Sequence, residues 1–344
     1  MSNTNKFDFS DLELDHELPD FKLQDYILQP ALSNAVKVAM YLQQPLLITG
    51  KPGTGKTRLA EKLAGDLAQE FGTFLPFPLV FNTKTISAYT DLLYQYDALG
   101  HFHRANITDP EQAKKMGSAD VYRFIQLNAM GQAIMLSTGA FRGAYKNMRL
   151  LDDFLKKNPE VEKNKQPLGT VVLIDEVDKA PRDFTNDLLN ELDRFEFTVR
   201  EDENTTYEKG KGNIFVIITS NSEKGLPDAF LRRCVFYHID PPGDEFFREI
   251  IVQKLTPAMG TENSLVTNAL IDDYLEVFKQ IRECTSKKEP STAELINWLF
   301  YLRPHILLGR KFSDIDLSAQ RASYGILAKT SEDLKNLTNL FKTE

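Results

Sequence analysis

The sequence predicts an α/β fold in which a parallel sheet lies between layers of helices and an all-helical C-terminal domain follows. A strand-length apolar run at 45–49 enters a glycine-rich turn, and a helical pattern of leucine and alanine comes next. Two further apolar runs, at 171–174 and 214–218, end in polar residues, which is typical of buried strands in a parallel sheet. After Pro241 and Pro242 the apolar spacing is helical, without strand alternation.

Composition limits the class of protein. The 344 residues suggest two domains, or one large domain with a lid. The hydrophobic fraction of 42% is ordinary for a globular chain, and the net charge of −8 argues against a permanent nucleic-acid groove. Cys234 and Cys284 belong to no metal-type cluster. With no membrane-length apolar run and no signal peptide, we expect a cytoplasmic protein without a membrane span.

Changes in pattern divide the chain into three parts. Residues 1–25 carry seven acidic side chains interleaved with apolar ones, which predicts a mobile acidic arm, with a docking role as the alternative. From Tyr26 the pattern becomes regular, and we expect an α/β nucleotide-binding domain over 26–240. A helical lid domain is expected over 243–344.

The glycine-rich turn has the sequence of a phosphate-binding loop. Strand, glycine-rich turn and helix follow one another at 45–64, with Lys56 and Thr57 at the start of the helix. Glycines let backbone N–H groups surround phosphate oxygens, while Lys56 reaches the terminal phosphates and the Thr57 hydroxyl holds Mg²⁺. The alternative, a chance match in an ordinary turn, is weakened by the flanking elements. The residues expected to bind ATP are Gly50, Pro52, Gly53, Thr54, Gly55, Lys56, Thr57 and Arg58.

Polar residues at the ends of two buried strands extend this site. Asp175 and Glu176 end the apolar run at 171–174, at the edge where open α/β sheets bind ligands. We expect Asp175 to hold Mg²⁺ and Glu176 to polarise the attacking water. Asn221 follows the next strand and is placed to orient that water, although turn chemistry alone also favours asparagine there. Acids that only cap a helix are the alternative for the carboxylate pair.

Two arginines follow the site in the chain. Asp228 can begin a short helix that ends at Arg232 and Arg233, before a last strand at 235–239. Arginines at that position satisfy last-turn carbonyls or act on a neighbouring subunit's γ-phosphate as an arginine finger. We prefer Arg233 as the finger and leave Arg232 open.

The region between the second and third strands, 78–82 and 171–176, is less regular. Residues 83–103 are aromatic and weakly periodic, 111–157 are expected to be mostly helical, and 156–165 is expected to be an exposed loop. Downstream of the third strand, 195–200 alternates like a strand and predicts a projecting hairpin with its partner at 207–212. In the irregular region, His101 and His103 flank Phe102, but a third metal ligand is not evident, so we assign no metal to them.

In this order, the motifs resemble those of the AAA+ ATPases, and more narrowly of the MoxR family, over residues 26–302. The run from Thr219 to Cys234 is especially MoxR-like, and Asp91–Tyr94 and Tyr96–Asp97 also match the insertion of that family around its second helix. The resemblance implies a P-loop NTPase fold with a parallel-sheet α/β/α core and a helical lid, in which Lys56, Glu176, Asn221 and Arg233 are catalytic. It also implies a ring, usually a hexamer, that remodels a client together with a von Willebrand A domain protein.

One departure from the family pattern concerns the lid. Residues 289–298 occupy the place where many AAA+ lids carry a sensor 2 arginine, and they contain none. This favours, as one alternative, a nucleotide-gated assembly switch with slow hydrolysis. A nucleic-acid motor is the other alternative, and the acidic balance argues against it. Residues 83–103 and 195–207 are the expected client contacts.

Overall fold

The computed structural model describes residues 26–107, 121, 124–139, 149–241, 243–259, 265–285 and 287–341. The predicted acidic arm, 1–25, lies outside these residues. The strands are β1 (Leu46–Gly50), β2 (Leu79–Asn82), β3 (Tyr94–Tyr96), β4 (Ile125–Leu127), β5 (Thr170–Asp175), β6 (Glu196–Val199), β7 (Thr205–Glu208), β8 (Ile214–Ser220) and β9 (Val235–Ile239). The helices are α1 (Pro30–Leu42), α2 (Lys56–Phe71), α3 (Thr90–Leu93), α4 (Ala98–Ile107), α5 (Ala129–Ser137), α6 (Arg149–Lys157), α7 (Pro159–Lys163), α8 (Arg182–Arg194), α9 (Asp228–Leu231), α10 (Asp244–Met259), α11 (Asn268–Cys284), α12 (Thr292–Leu307), α13 (Leu317–Leu327) and α14 (Ser331–Leu340).

Five strands form the predicted parallel sheet, in the order β2-β5-β8-β1-β9. Every neighbouring pair in this sheet is parallel. The continuous apolar runs of β1, β5 and β8 are buried because helices cover both faces of the sheet. Strand β1 lies between β8 and β9, both later in the chain, so the strand order changes direction at β1. Open α/β sheets have a crevice at the carboxyl end of the strands at such a point.

Two clusters of buried side chains cover the faces of this sheet. One contains Leu47, Ile174 and Phe184, and the other contains Leu46, Leu59 and Leu173. Alternate residues of β1 and β5 therefore enter different layers, as the period of two in a strand requires. The fold is the predicted three-layer α/β/α arrangement.

Two small antiparallel hairpins lie outside the sheet, and the sequence predicts them only in part. Strands β3 and β4 pair inside a region expected to be irregular or helical, and helix α7 replaces the loop expected at 156–165. Strands β6 and β7 form the hairpin predicted from the alternation, but the second strand begins at Thr205 rather than at Tyr207. The expectation that this hairpin projects is wrong for one of its faces, because Phe197 and Val199 are 3% and 2% exposed.

The C-terminal region is helical, as predicted. Helices α10 to α14 enclose a separate apolar cluster centred on Trp298, which is fully buried against Tyr274, Phe278 and Phe312. The indole N–H donates to Ser323 Oγ at 3.1 Å, so the ring is buried without an orphaned donor. Among the described residues, no helix is long and apolar enough to cross a membrane.

Candidate nucleotide-binding site

A cleft of about 510 Å³ lies at the carboxyl end of the sheet, between the core and the first turns of α12. The sequence-predicted residues Pro52, Gly53, Thr54, Gly55, Lys56, Thr57, Arg58, Asp175, Glu176 and Asn221 all line it. The sequence assigned no role to the remaining lining residues, which are Tyr26, Ile27, Gln29, Leu32, Ile239, Asp240, Phe246, Ile250, Thr292, Ala293, Ile296, Asn297 and Phe300.

The glycine-rich loop runs from the end of β1 to the start of α2. Gly50 and Gly55 have φ angles of 152° and 87°, which side-chain-bearing residues rarely adopt. A β-carbon at Gly50 would lie 2.8 Å from the carbonyl oxygen of Ile239, so only glycine fits beside β9. The loop thus delivers the N-terminus of α2 to the cleft, with its unpaired N–H groups and the positive end of the helix dipole.

Lys56 is the cation at the base of this loop and is only 8% exposed. Its ammonium donates to the carbonyl oxygens of Gly50 at 2.7 Å and Lys51 at 3.1 Å, and to Asn221 Oδ1 at 3.1 Å. Burial lowers the pKa of Lys56, and the charges of the neighbouring carboxylates, Asp175 first, oppose this shift. A buried ammonium held beside a cleft in this way is suited to bind phosphate.

Thr57 and Asp175 meet across the cleft from α2 and β5. The Thr57 hydroxyl donates to the Asp175 carboxylate, 3.1 Å from Oδ2 and 3.3 Å from Oδ1. The Thr219 hydroxyl of β8 also donates to Asp175, which fixes the orientation of the carboxylate. A hydroxyl and a carboxylate are hard oxygen donors, so this pair fits the ligand chemistry of Mg²⁺. Among the described residues, no group of three or more His, Cys, Asp or Glu side chains is placed to hold a metal ion.

Glu176 follows directly after β5 and has an unusual backbone. Its φ and ψ angles are 57° and 49°, in the left-handed region that residues other than glycine seldom occupy. The N–H of Glu176 donates to Thr219 Oγ1 at 2.9 Å, and its carboxylate accepts from the ammonium of Lys179. This hydrogen bond is the main cause that raises the pKa of Lys179. Backbone strain of this kind accumulates at functional sites.

Asn221 reaches the same centre from the end of β8. Its Oδ1 accepts from Lys56, while its backbone N–H donates to Asp178 Oδ1 at 3.1 Å and its Nδ2 lies 3.5 Å from Asp178 Oδ2. The structure therefore brings Lys56, Glu176 and Asn221 together. The charged turn 177–179 immediately after Glu176 was the available signal for Asp178 and Lys179, and the sequence reasoning did not use it.

The two arginines of the α9 region lie away from the cleft that the other predicted residues line. Both Arg232 and Arg233 are exposed and follow the last turn of α9. Neither lines the cleft of its own chain. Arg58 lines the cleft and pairs with Glu61 one turn along α2, at 2.6 Å. Within one chain, the predicted site residues therefore line the cleft, except for Arg233 and Gly50. Gly50 lies at the start of the loop, and its carbonyl oxygen accepts from Lys56.

The C-terminal helical region, called the lid below, lines one side of the cleft with uncharged side chains. Helix α12 begins with a capping box formed by Ser291 and Glu294, and its first turns present Thr292, Ala293 and Ile296 to the cleft. Just before the helix, Glu289 lies 3.4 Å from the ammonium of Lys51 in the glycine-rich loop. The α12 residues that line the cleft form the lid wall. Hydrophobic periodicity could not predict this wall, because apolar residues that face a cleft and apolar residues that face a core recur at the same helical spacing.

The fold and the cleft together define a P-loop nucleotide-binding protein. The sequence profile of the AAA domain, dynein-related subfamily, matches residues 45–234, which is more than half of the chain. The chain therefore belongs to this AAA family, whose members are in general ATPases that bind nucleotide, typically with Mg²⁺.

Two solved structures are similar to the chain. Domain III of the Thermotoga maritima replication initiation protein DnaA aligns with 91% of this chain and 99% of its own, at 15% identity and a TM-score of 0.42. A RuvB mutant from the same organism aligns with 91% of this chain and 74% of its own, at 15% identity and a TM-score of 0.45. No curated protein sequence matches the chain.

Proposed function

We propose that this protein is a cytoplasmic, Mg²⁺-dependent ATPase of the MoxR type that assembles into a ring, hexameric in related proteins, and remodels or matures a client. The observation that carries the proposal is the convergence of Lys56, Thr57, Asp175, Glu176 and Asn221 in one cleft. The subfamily match supports the ATPase class, and the sequence motifs support the MoxR assignment.

In the proposed reaction, the chain supplies position and charge. Thr57 and Asp175 would hold Mg²⁺, which counters charge on the transferring phosphoryl group. Lys56 binds the terminal phosphates, and Glu176 accepts a proton from the attacking water. The new bond joins the water oxygen to the γ-phosphorus as the bond to the bridging oxygen breaks, and ADP and phosphate leave. Asn221 Oδ1, which already accepts from Lys56, is placed to accept a second hydrogen bond from that water.

The position of Arg233 supports a site shared between subunits. Arg233 is exposed and lies outside the cleft of its own chain. An arginine that stabilises the transition state must approach the γ-phosphate, and a neighbour in a ring can supply it. The ring is therefore part of the proposed active site. We assign the finger to Arg233, with Arg232 as the alternative.

Two hairpins are the proposed client contacts, and they touch each other. The Tyr94 hydroxyl of β3 donates to Glu201 at 3.0 Å, and the Tyr94 ring lies 6.2 Å from that of Phe197 in β6. In the region 83–103 that contains β3, Ile86 and Leu99 are 85% and 74% exposed. Exposed apolar side chains on a supported surface suit contact with another protein. We also propose a von Willebrand A domain protein as the partner, from the family resemblance.

Mixing two inactive variants tests the shared site. Glu176→Gln keeps the phosphate contacts but removes the proton acceptor, while Arg233→Ala leaves the chain's own cleft intact. Each variant alone is expected to bind ATP and to lack turnover. In mixed rings, about a quarter of the interfaces combine an intact Glu176 with an intact Arg233, so phosphate release should return. Turnover is measured across mixing ratios, with size-exclusion chromatography to confirm assembly.

Arg232→Ala is the matched control for this experiment. Rings made only of Arg232→Ala should retain ATP turnover. This variant removes an arginine side chain one position away and leaves the proposed finger, Arg233, in place. If Arg232→Ala abolishes turnover and Arg233→Ala does not, the finger assignment is wrong. If Glu176→Gln retains wild-type turnover, the assignment of the proton acceptor fails. Inactive mixtures at every ratio, with rings still formed, would exclude the shared site.

The lid wall favours a second candidate function. The α12 residues that line the cleft are Thr292, Ala293, Ile296, Asn297 and Phe300, and none carries a positive charge. A lid without a cation contributes no charge against the transferring phosphoryl group, which favours a nucleotide-gated assembly switch with slow hydrolysis. Wild-type turnover, measured with and without a co-purified partner, separates the two. A rate that stays at the uncatalysed level while ATP alters assembly would identify the switch.

A further inference from the structure

The turn that follows Glu176 places a lysine directly over its carboxylate. Residues Val177–Lys179 form a single 3₁₀ turn, and Glu176 precedes it with left-handed backbone angles. The backbone N–H of Lys179 closes the turn on the carbonyl oxygen of Glu176, which brings the two residues together. The Lys179 ammonium contacts Glu176 Oε2. Val177, between them, is 1% exposed and anchors the turn to the core. The contact is therefore set by the backbone of the turn.

The backbone of Glu176 is held on both sides. Its N–H donates to Thr219 Oγ1 at 2.9 Å, and its carbonyl oxygen accepts from the N–H of Lys179 at 3.0 Å. With the backbone fixed, the remaining freedom of the carboxylate lies in its side-chain torsions, and the contact with Lys179 restricts these. Removal of the ammonium would leave the backbone in place and release the carboxylate.

We propose that Lys179 is a positioning residue for ATP hydrolysis, and that it holds the carboxylate of Glu176 in the orientation from which Glu176 accepts the proton of the attacking water. The inference rests on the proposed function, because it takes Glu176 as the proton acceptor. Lys179 itself touches neither substrate nor water in this role. It acts through Oε2 and leaves the other carboxylate oxygen to meet the water.

A comparison within the chain separates this pair from ordinary surface pairs. Lys163 and Glu160 have the same i,i+3 spacing, but their side chains are 73% and 68% exposed, and they lie on α7, away from the cleft. Lys179 and Glu176 are 49% and 42% exposed, and Glu176 lines the cleft. Solvent screens the Lys163–Glu160 pair more strongly, and neither residue of that pair lines the cleft. Lys163→Met is therefore the matched control.

The test is steady-state ATP hydrolysis by the full-length chain carrying Lys179→Met. A misdirected proton acceptor should lower kcat by about tenfold or more and leave KM for ATP within about twofold. Lys179→Arg, which keeps a donor at the same place, should recover most of kcat. Lys163→Met should match wild type. Thermal unfolding and ring assembly are followed for every variant, to exclude misfolding.

A double variant shows whether Lys179 acts through Glu176. In the Glu176→Gln background, Lys179→Met should add no further loss to the residual single-turnover rate, because the group it orients is already gone. An unchanged or raised kcat for Lys179→Met would overturn the proposal, as would an equal further loss in the Glu176→Gln background. Retained turnover in Glu176→Gln alone would instead refute the assignment of Glu176, independently of Lys179.

Discussion

The two walls of the cleft are built from different chemistry. One wall belongs to the α/β domain and is called the core wall. It carries Lys56, Asp175 and Glu176, and each of these side chains has a hydrogen-bonded partner in the same domain. The lid wall carries the apolar side chains of Ile296 and Phe300, which line the cleft. Charged groups that are already oriented suit phosphate and its chemistry, whereas an apolar wall suits the flat face of a nucleobase. In the proposed function, the core wall would therefore determine the reaction, and the lid wall would add binding energy that is equal for substrate and transition state.

The walls also differ in how they are supported. The core wall is built on the carboxyl ends of parallel strands and on the first turn of α2, and the strand ladders fix its backbone. The lid wall is the exposed side of α12, whose opposite side packs Trp298 and Leu295 into the lid cluster. A shift of that helix would carry its whole wall with it. Nucleotide binding and lid packing are therefore expected to be coupled through α12.

The largest expected effect comes from Lys56→Met in the core wall. The change removes charge-assisted contacts to phosphate, together worth about 3 kcal/mol, so the affinity for ATP should fall by about 100-fold. Stability should change little, because burial lowers the pKa of Lys56 and already disfavours its charge. Isothermal titration with ATP and with ADP measures the loss, and thermal unfolding is the control. Affinity within a few-fold of wild type would refute the central role of Lys56.

A smaller effect is expected from Ile296→Ala in the lid wall. The lost apolar contact is worth about 1–2 kcal/mol, or roughly tenfold in affinity, and should weaken ATP and ADP equally. Equal losses would mark uniform binding, in contrast to the loss for Lys56→Met, which should be greater for ATP. Leu308→Ala, an exposed apolar residue after α12, is the matched control. A loss confined to ATP would show that the lid wall contacts the phosphates instead.

The same contrast explains what sequence alone predicts here. The core wall was predictable because its residues follow continuous apolar runs in a local order, and β1, β5 and β8 lie within one or two residues of those expected. Hairpin β3–β4 was missed because each strand has three residues, too few to show alternation. The lid wall depends on how two regions distant in the chain come together, and no local pattern contains that information.

The smallest expected effect concerns the ion pair that joins the two walls. Glu289, just before α12, lies 3.4 Å from Lys51 of the glycine-rich loop, and the two side chains are 48% and 64% exposed. At that exposure the pair is worth within about 1 kcal/mol, so Glu289→Gln should change ATP affinity by less than about fivefold. The change should shrink as salt screens the pair. Because Glu289 also lies 3.5 Å from Arg282 on α11, unfolding followed through Trp298 fluorescence shows whether the lid itself has loosened. A loss of ATP affinity above tenfold that salt does not reduce would contradict this prediction. It would mean that Glu289 couples the lid to the glycine-rich loop through more than its ion pair with Lys51.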